Sequence, residues 1–199
     1  MSYSDFDIRD AKTILGLELD ERYGAFESSP PREASAALRE SLPRRITKAT
    51  GINTEKARSE YLILPVLDDL ELSLGGKINV FSGSEFNVDP ARGLQGRVDF
   101  LVSRSREQLF IEAPVLAVVE AKNEDLRGGL GQCLAAMVAA QTFNAREERT
   151  IPCIGGCVTT GTAWRFLALE GTRATVDTRE YTVTELDRVL GVLAALTSA

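Results

Sequence analysis

The run Val115-Leu116-Ala117-Val118-Val119 is apolar at every position. A strand that covers a core from one side alternates apolar and polar residues, whereas a strand apolar on both faces must be covered on both. The chain is therefore expected to build a central strand, here Pro114–Lys122, into a sheet with helices packed on each side. The run then stops at Glu120-Ala121-Lys122. Side chains two apart on a strand share a face. Glu120 and Lys122 thus point the same way at the end of a buried strand. Ala121 points away and leaves its carbonyl at the same edge.

The elements around this strand follow from periodicity and breakers. Asn53 or Thr54 caps a helix expected to run to about Leu74, bent at Pro65 and ended by Gly75 and Gly76. Lys77–Phe81 reads as a strand that meets a turn at Ser82-Gly83-Ser84. Gly96–Ser103 is a second strand, joined to the central one through a short, charged hairpin link. A helix from about Leu126 or Gly131 to Asn144 crosses to a strand over Ile151–Thr159, which implies a parallel pair within a mixed sheet. Trp164–Leu169 is a further strand, and Arg173–Asp177 and Glu180–Val183 are short edge pieces. Thr182 and Glu185 form a capping box before a last helix striped by Leu186, Val189, Leu190 and Leu193. Residues 1–50 read as an N-terminal helical appendage, with helices near Ile8–Glu18 and from Glu33 to Ser41, the latter closed by Pro43. Residues 51–199 read as the main domain. The fold class is α/β (α+β), a mixed central sheet flanked by helices.

Composition narrows the chemistry. Histidine is absent among 199 residues, which removes histidine-based triads, proton shuttles and most zinc enzymes. Acid–base work must then fall to carboxylates, lysine, tyrosine or metal-bound water. Three cysteines, Cys133, Cys153 and Cys157, cannot all pair. With no leader in the first residues they indicate a reducing, cytoplasmic setting and buried small thiols, ahead of a zinc site on the C-x3-C spacing. No apolar run approaches the roughly 18 residues of a membrane span. The formal net charge of -6 argues against a general nucleic-acid coat but leaves room for a local basic groove. Arg92, Arg97, Arg104, Arg106 and Arg127 lie near the candidate site in sequence.

Asp99 gives the Glu120–Lys122 end its chemical interest. In Gly96–Val102 the residues Val98, Phe100 and Val102 take one face, and Asp99 shares the other with Leu101. An acid inside a strand core is costly unless it is paired or binds a metal. The hairpin makes Asp99 and Glu120 neighbours. Two carboxylates and the Ala121 backbone carbonyl are suitable oxygen ligands for Mg2+ or Mn2+. Lys122 is placed to hold an attacking water or to neutralise a phosphoryl transition state. Glu60 stacks with Ile63, Leu64 and Leu67 on its helix. It is either an acid at the rim paired with an arginine or a carboxylate reaching the metal through water. Gln132 aligns with Ala135, Ala136 and Ala139 and either orients water or phosphate or is a plain polar residue at a helix start. Glu85, beside the glycine turn, is a weaker candidate for the same pocket.

In this order, Glu60, Asp99, Glu120-Ala121-Lys122 and Gln132 resemble the PD-(D/E)XK nuclease superfamily over roughly residues 54 to 170. Val98 stands where many members carry proline. The run from Val158 to Phe166 is similar to the T-x-G-x-x-W-x-F strand–turn–strand of the branch related to type I restriction-subunit N-terminal domains. Asn53–Glu60, Phe86–Asp89 and Val119–Glu124 are similar to segments of a group of small bacterial proteins, many of them cyanobacterial. The resemblance implies a restriction-endonuclease-like three-layer core. It also implies Mg2+- or Mn2+-dependent phosphodiester hydrolysis of nucleic acid, DNA first, as an endonuclease. Asp99, Glu120 and the Ala121 carbonyl would hold the metal, Lys122 would assist the water, and Glu60 and Gln132 would support them. Two other readings stand beside it. One is a non-catalytic nucleic-acid-binding or complex-assembly module with a vestigial site; the other treats Glu120 and Lys122 as an ordinary ion pair. A protein partner subunit could supply the DNA contacts that an acidic chain lacks, and a symmetric double-strand cut would need a homodimer.

Overall fold

The computed structural model describes residues 1–198. One mixed sheet of eight strands organises them, in the spatial order β1-β7-β6-β5-β4-β3-β2, with β8 pairing β6 beside β7. The strands are β1 Glu18–Arg22, β2 Asn79–Glu85, β3 Arg97–Ser103, β4 Val115–Ala121, β5 Ile154–Thr159, β6 Ala163–Glu170, β7 Arg173–Asp177 and β8 Tyr181–Thr182. The helices are α1 Ile8–Thr13, α2 Ala36–Ile52, α3 Glu55–Arg58, α4 Leu64–Ser73, α5 Leu130–Arg146 and α6 Leu186–Leu196. As the crossover predicted, β4 and β5 are parallel and are linked through α5.

Every residue of β4 is buried, and the reason is the expected one. Helix α5 and the N-terminal residues Tyr3, Phe6 and Ala11 cover one face, packing on Val115, Val118, Val158 and Leu167. Helices α2, α4 and α6 cover the other, packing on Phe100, Val102, Ala117, Val119 and Phe166. A bulge in the β3–β4 ladder near Val102 and Ser103 turns Leu116 onto this second face beside Ala117. Small residues bring α5 down onto the sheet: Ala135, Ala136 and Ala139 are fully buried. A Cβ on Gly156 would lie 2.3 Å from the Met137 sulfur. Cys133 and Cys157 are buried in this packing as small thiols, with no disulfide among the described residues. Among the described residues, no helix is long and apolar enough to cross a membrane.

Several elements differ from the sequence expectation. Residues 1–50 are not purely helical: β1 is an edge strand of the sheet, parallel to β7, and residue 50 falls inside α2. Pro43 does not close a helix but lies inside α2. It sits on the exposed side, where the Arg39 carbonyl that it leaves without an N–H donor can face water. Pro65 likewise does not simply bend one long helix. A π turn over Ser59–Ile63 precedes it, with the Leu64 N–H donating to the Ser59 carbonyl. Pro65 then falls in the first turn of α4, where its missing N–H is not needed. The expected turn at Ser82-Gly83-Ser84 is part of β2. Gly83 takes φ +62° between the pairs Ser82↔Phe100 and Ser84↔Val98, a twist that glycine adopts without strain. The β3–β4 link is a loop over residues 104–114 rather than a tight hairpin.

A carboxylate–lysine corner as candidate active site

Asp99 and Glu120 meet as the strand pattern predicted. The β3–β4 ladder pairs Phe100 with Val119, and one step further sets Asp99 opposite Glu120 on the α5 face. There the Asp99 carboxylate takes over the ladder: its Oδ2 accepts the Ala121 backbone N–H at 2.8 Å. Ala121 turns its side chain into the opposite core, and the backbone continues as the Lys122 N–H donates to the Thr159 carbonyl at 2.8 Å. Glu120 is 2% exposed. Lys122 donates from Nζ to Glu120 Oε1 at 2.9 Å and to Gln132 Oε1 at 3.1 Å. Four of the expected site residues, Asp99, Glu120, Lys122 and Gln132, are therefore in one bonded cluster together with the backbone of Ala121.

The cluster is electrostatically unbalanced. Glu120 Oε2 is buried without any hydrogen-bond partner. Burial first, and the facing Asp99 carboxyl second, push the Glu120 carboxyl up from its ordinary value to about 8, against the pull of Lys122. Burial, the largest single effect, would lower Lys122, but the Glu120 charge and hydrogen bond, with the charges of Glu55 and Asp99, together outweigh it, and the ammonium lies above its ordinary value. Of this pair Lys122 keeps its proton, and Glu120 is the group whose charge is held at a cost. A cation at Oε2, shared with Asp99, would offset both the desolvation and the repulsion between the two acids. The donor set is hard oxygen, as Mg2+ or Mn2+ prefers. Among the described residues no third acidic, cysteine or histidine side chain joins the pair, and Mg2+ is commonly held by one or two carboxylates with water and phosphate completing its shell.

Glu60 is not brought into this cluster. It lies in the π turn, is 54% exposed and faces Lys56 at 3.6 Å, so it is an acid at the rim paired with lysine rather than arginine. The wider turn shifts the helical phase: the buried positions become Leu62, Ile63, Val66 and Leu67, and Leu64 is exposed. From the same helical segment it is Glu55 whose charge is felt at Lys122. Glu85 pairs with Arg97 at 3.4 Å on the exposed end of β2. Arg104 lines a cavity with Pro114 at the other end of β4.

Two arginines escaped the sequence reading. Arg58, 8% exposed, ties the loop after Lys122 to the turn after β5. It donates to Asn123 Oδ1 at 3.0 Å, to the Thr160 carbonyl at 3.0 Å and to Asn53 Oδ1 at 2.9 Å. Arg165 has an Nε that is buried without an acceptor. Alternation was the available signal for the second: a charged residue between the buried Trp164 and Phe166 must face the opposite side of β6. Comparison with family models gives no match for this sequence, and comparison with curated proteins gives none either.

Proposed function

We propose that the chain is a divalent-metal-dependent nuclease, hydrolysing phosphodiester bonds in nucleic acid and DNA first, on the restriction-endonuclease-like core that its sequence resembles. One observation carries this reading: a buried glutamate lies opposite a second carboxylate, and its only cationic partner among the described residues is a lysine on one oxygen. An ordinary buried ion pair would be expected to satisfy both oxygens. Asp99, Glu120 and the Ala121 carbonyl would hold Mg2+ or Mn2+. When bound, the ion supplies Lewis-acid stabilisation of charge on the phosphate.

The remaining work falls to Lys122 and Gln132. Lys122 has three N–H donors and uses two. The third can hold the attacking water or a phosphoryl oxygen as charge develops there. Gln132 accepts from Lys122 through its carbonyl oxygen, which fixes the lysine and leaves its amide N–H groups for water or phosphate. In the step itself one P–O bond forms to water and one breaks to the leaving sugar oxygen. The proton lost by water passes to solvent and is returned there to the leaving oxygen. A homodimer, or a partner subunit with a basic face, belongs to the same reading for duplex substrates.

The test is cleavage of supercoiled plasmid, short duplex, single strand, branched DNA and RNA with Mg2+ or Mn2+ and with EDTA. Metal-dependent cutting by the wild type, lost in folded Asp99→Ala and Lys122→Ala, is the expected result. Cutting that survives in both variants, or no cutting of any substrate, overturns it.

A further inference from the structure

The two buried side-chain atoms without partners belong to groups of opposite character: Glu120 Oε2 to an acid, and Arg165 Nε to a guanidinium that can only donate. They also lie in one row of the sheet. Glu120 on β4 is opposite Val158 on β5, and Val158 is opposite Arg165 on β6. With Asp99 facing Glu120, one face carries acid, acid, valine and arginine across four neighbouring strands. Strands are about 4.8 Å apart, so the Glu120 and Arg165 backbones are about 10 Å apart.

Arg165 borders a cleft of about 450 Å³ at the carboxyl ends of the parallel pair β4 and β5, with Arg58, Asn123, Arg127 and Thr160. The position matches the general rule that ligands of open α/β sheets bind beyond the carboxyl ends of parallel strands. Asn123 directly follows Lys122, so the cleft and the carboxylate corner are contiguous. Three acids border it too; Glu180 is charge-paired, whereas Glu124 and Asp125 bond neutral donors and keep their charge. Glu180 accepts from Arg165 Nη2 at 2.6 Å. Glu124 accepts from Asn53 at 3.1 Å, and Asp125 accepts from the Arg127 backbone N–H at 2.9 Å. Arg58 spends its three hydrogen bonds on neutral oxygens. Arg127 is exposed, and no salt bridge engages it among the described residues.

We infer that this cleft takes a backbone phosphate of the same nucleic-acid strand whose scissile phosphate lies at Asp99 and Glu120, with Arg165 and Arg127 as its donors. The inference rests on the nuclease reading above. A guanidinium matches phosphate geometry with paired donors. Arg165 and Arg127 are thus positioning residues that set how far from a bound phosphate the cut falls.

The test separates binding from cutting. Binding of a labelled 20-mer, single strand and duplex, is measured by fluorescence anisotropy in EDTA across a salt series. Wild type, Arg127→Ala, Arg165→Gln and Glu180→Gln are compared after a folding check, and cleavage with Mn2+ is followed in parallel. Arg127→Ala and Arg165→Gln should each weaken binding about five- to tenfold and flatten the salt slope by about 1. Glu180→Gln, which releases Arg165, should tighten binding. If Arg165→Gln fails to fold, the exposed Arg127 decides the matter. Unchanged binding in the arginine variants overturns the cleft whether or not the wild type cuts, as does a wild type that binds neither form. Weakened binding in the arginine variants with no cutting by the wild type sustains the cleft as a phosphate site and sinks the nuclease reading.

Discussion

Glu120 and Asp177 are both acids buried in the same sheet, 2% and 0% exposed, and they are treated in opposite ways. Asp177, at the end of β7, receives four hydrogen bonds. Oδ1 accepts from the Gly24 and Arg179 backbone N–H groups at 2.8 and 2.9 Å. Oδ2 accepts from the Phe26 N–H at 3.3 Å and the Tyr181 hydroxyl at 2.9 Å. Burial first, and then its bond to this aspartate, raise the Tyr181 hydroxyl well above its usual range, so the phenol keeps its proton as a donor. Glu120 has one donor, an unpartnered oxygen and a second carboxylate opposite it. The first arrangement folds a loop: it ties residues 24–26 to the β7–β8 turn. The second contributes nothing comparable to folding and costs desolvation. A buried acid that the fold satisfies is explained by the fold; one that the fold leaves half satisfied points to something that arrives later.

The contrast can be broken at several places. The largest effect is expected at Asp177→Ala, which strands the Gly24, Phe26 and Arg179 amides and the Tyr181 hydroxyl together. We expect a loss of about 3 kcal/mol or more in urea unfolding, with or without metal; a loss under about 1 kcal/mol would erase the distinction. Next, Mn2+ at ten times its Kd should stabilise the wild type by about 1.4 kcal/mol and leave Glu120→Gln unmoved. The same variant in EDTA should be as stable as wild type or more stable, by up to about 1 kcal/mol, because a desolvated acid facing Asp99 is removed while Lys122, 19% exposed, can turn to water. A Glu120→Gln protein that unfolds as readily as Asp177→Ala would show that both acids are structural. The smallest effect concerns Asp187, whose carboxyl is held below its usual value by Arg39 and then by the Ala34 N–H. The pair is exposed, so Asp187→Asn should cost only about 0.5 kcal/mol at neutral pH. A depressed carboxyl contributes stability above its unfolded pKa and loses it as pH falls through the folded value. The variant and wild type should therefore converge as the pH falls below the folded value.

The part of this site that was legible came from alternation. Phe100 and Val102 fixed the face of Asp99, although Val98 packs with Leu101 in the core on the α5 side, and the doubly apolar run fixed β4, so the facing acids followed from antiparallel pairing. The last helix was legible from its capping box and stripe, which the structure keeps. Glu60 was misplaced because its neighbours were counted at 3.6 residues per turn, while the chain spends one wider turn there to admit Pro65. β2 was truncated on paper because Gly83 reads as a turn residue, although a single left-handed glycine can sit inside a strand. β1 was missed because Glu18-Leu-Asp-Glu-Arg22 carries the charge that suits a sheet edge, and a charged segment of that kind does not announce a strand. Arg58 was hidden because its partners, Asn53, Asn123 and Thr160, come together only in three dimensions.

Helix α5 approaches the N-terminal segment with almost no clearance. A Cβ on Gly131 would fall 2.3 to 2.5 Å from the backbone of Phe6 and Asp7. Gln132, the residue after that glycine, steadies Lys122. Phe6 and Asp7 thus form a mechanical stop against which the start of the helix is seated, far along the chain from any residue that would touch a substrate. The setting of the lysine is in this sense a tolerance held at a distance: a methyl group added at Gly131 would be taken up as a displaced helix, and the amide that steadies Lys122 would move with it.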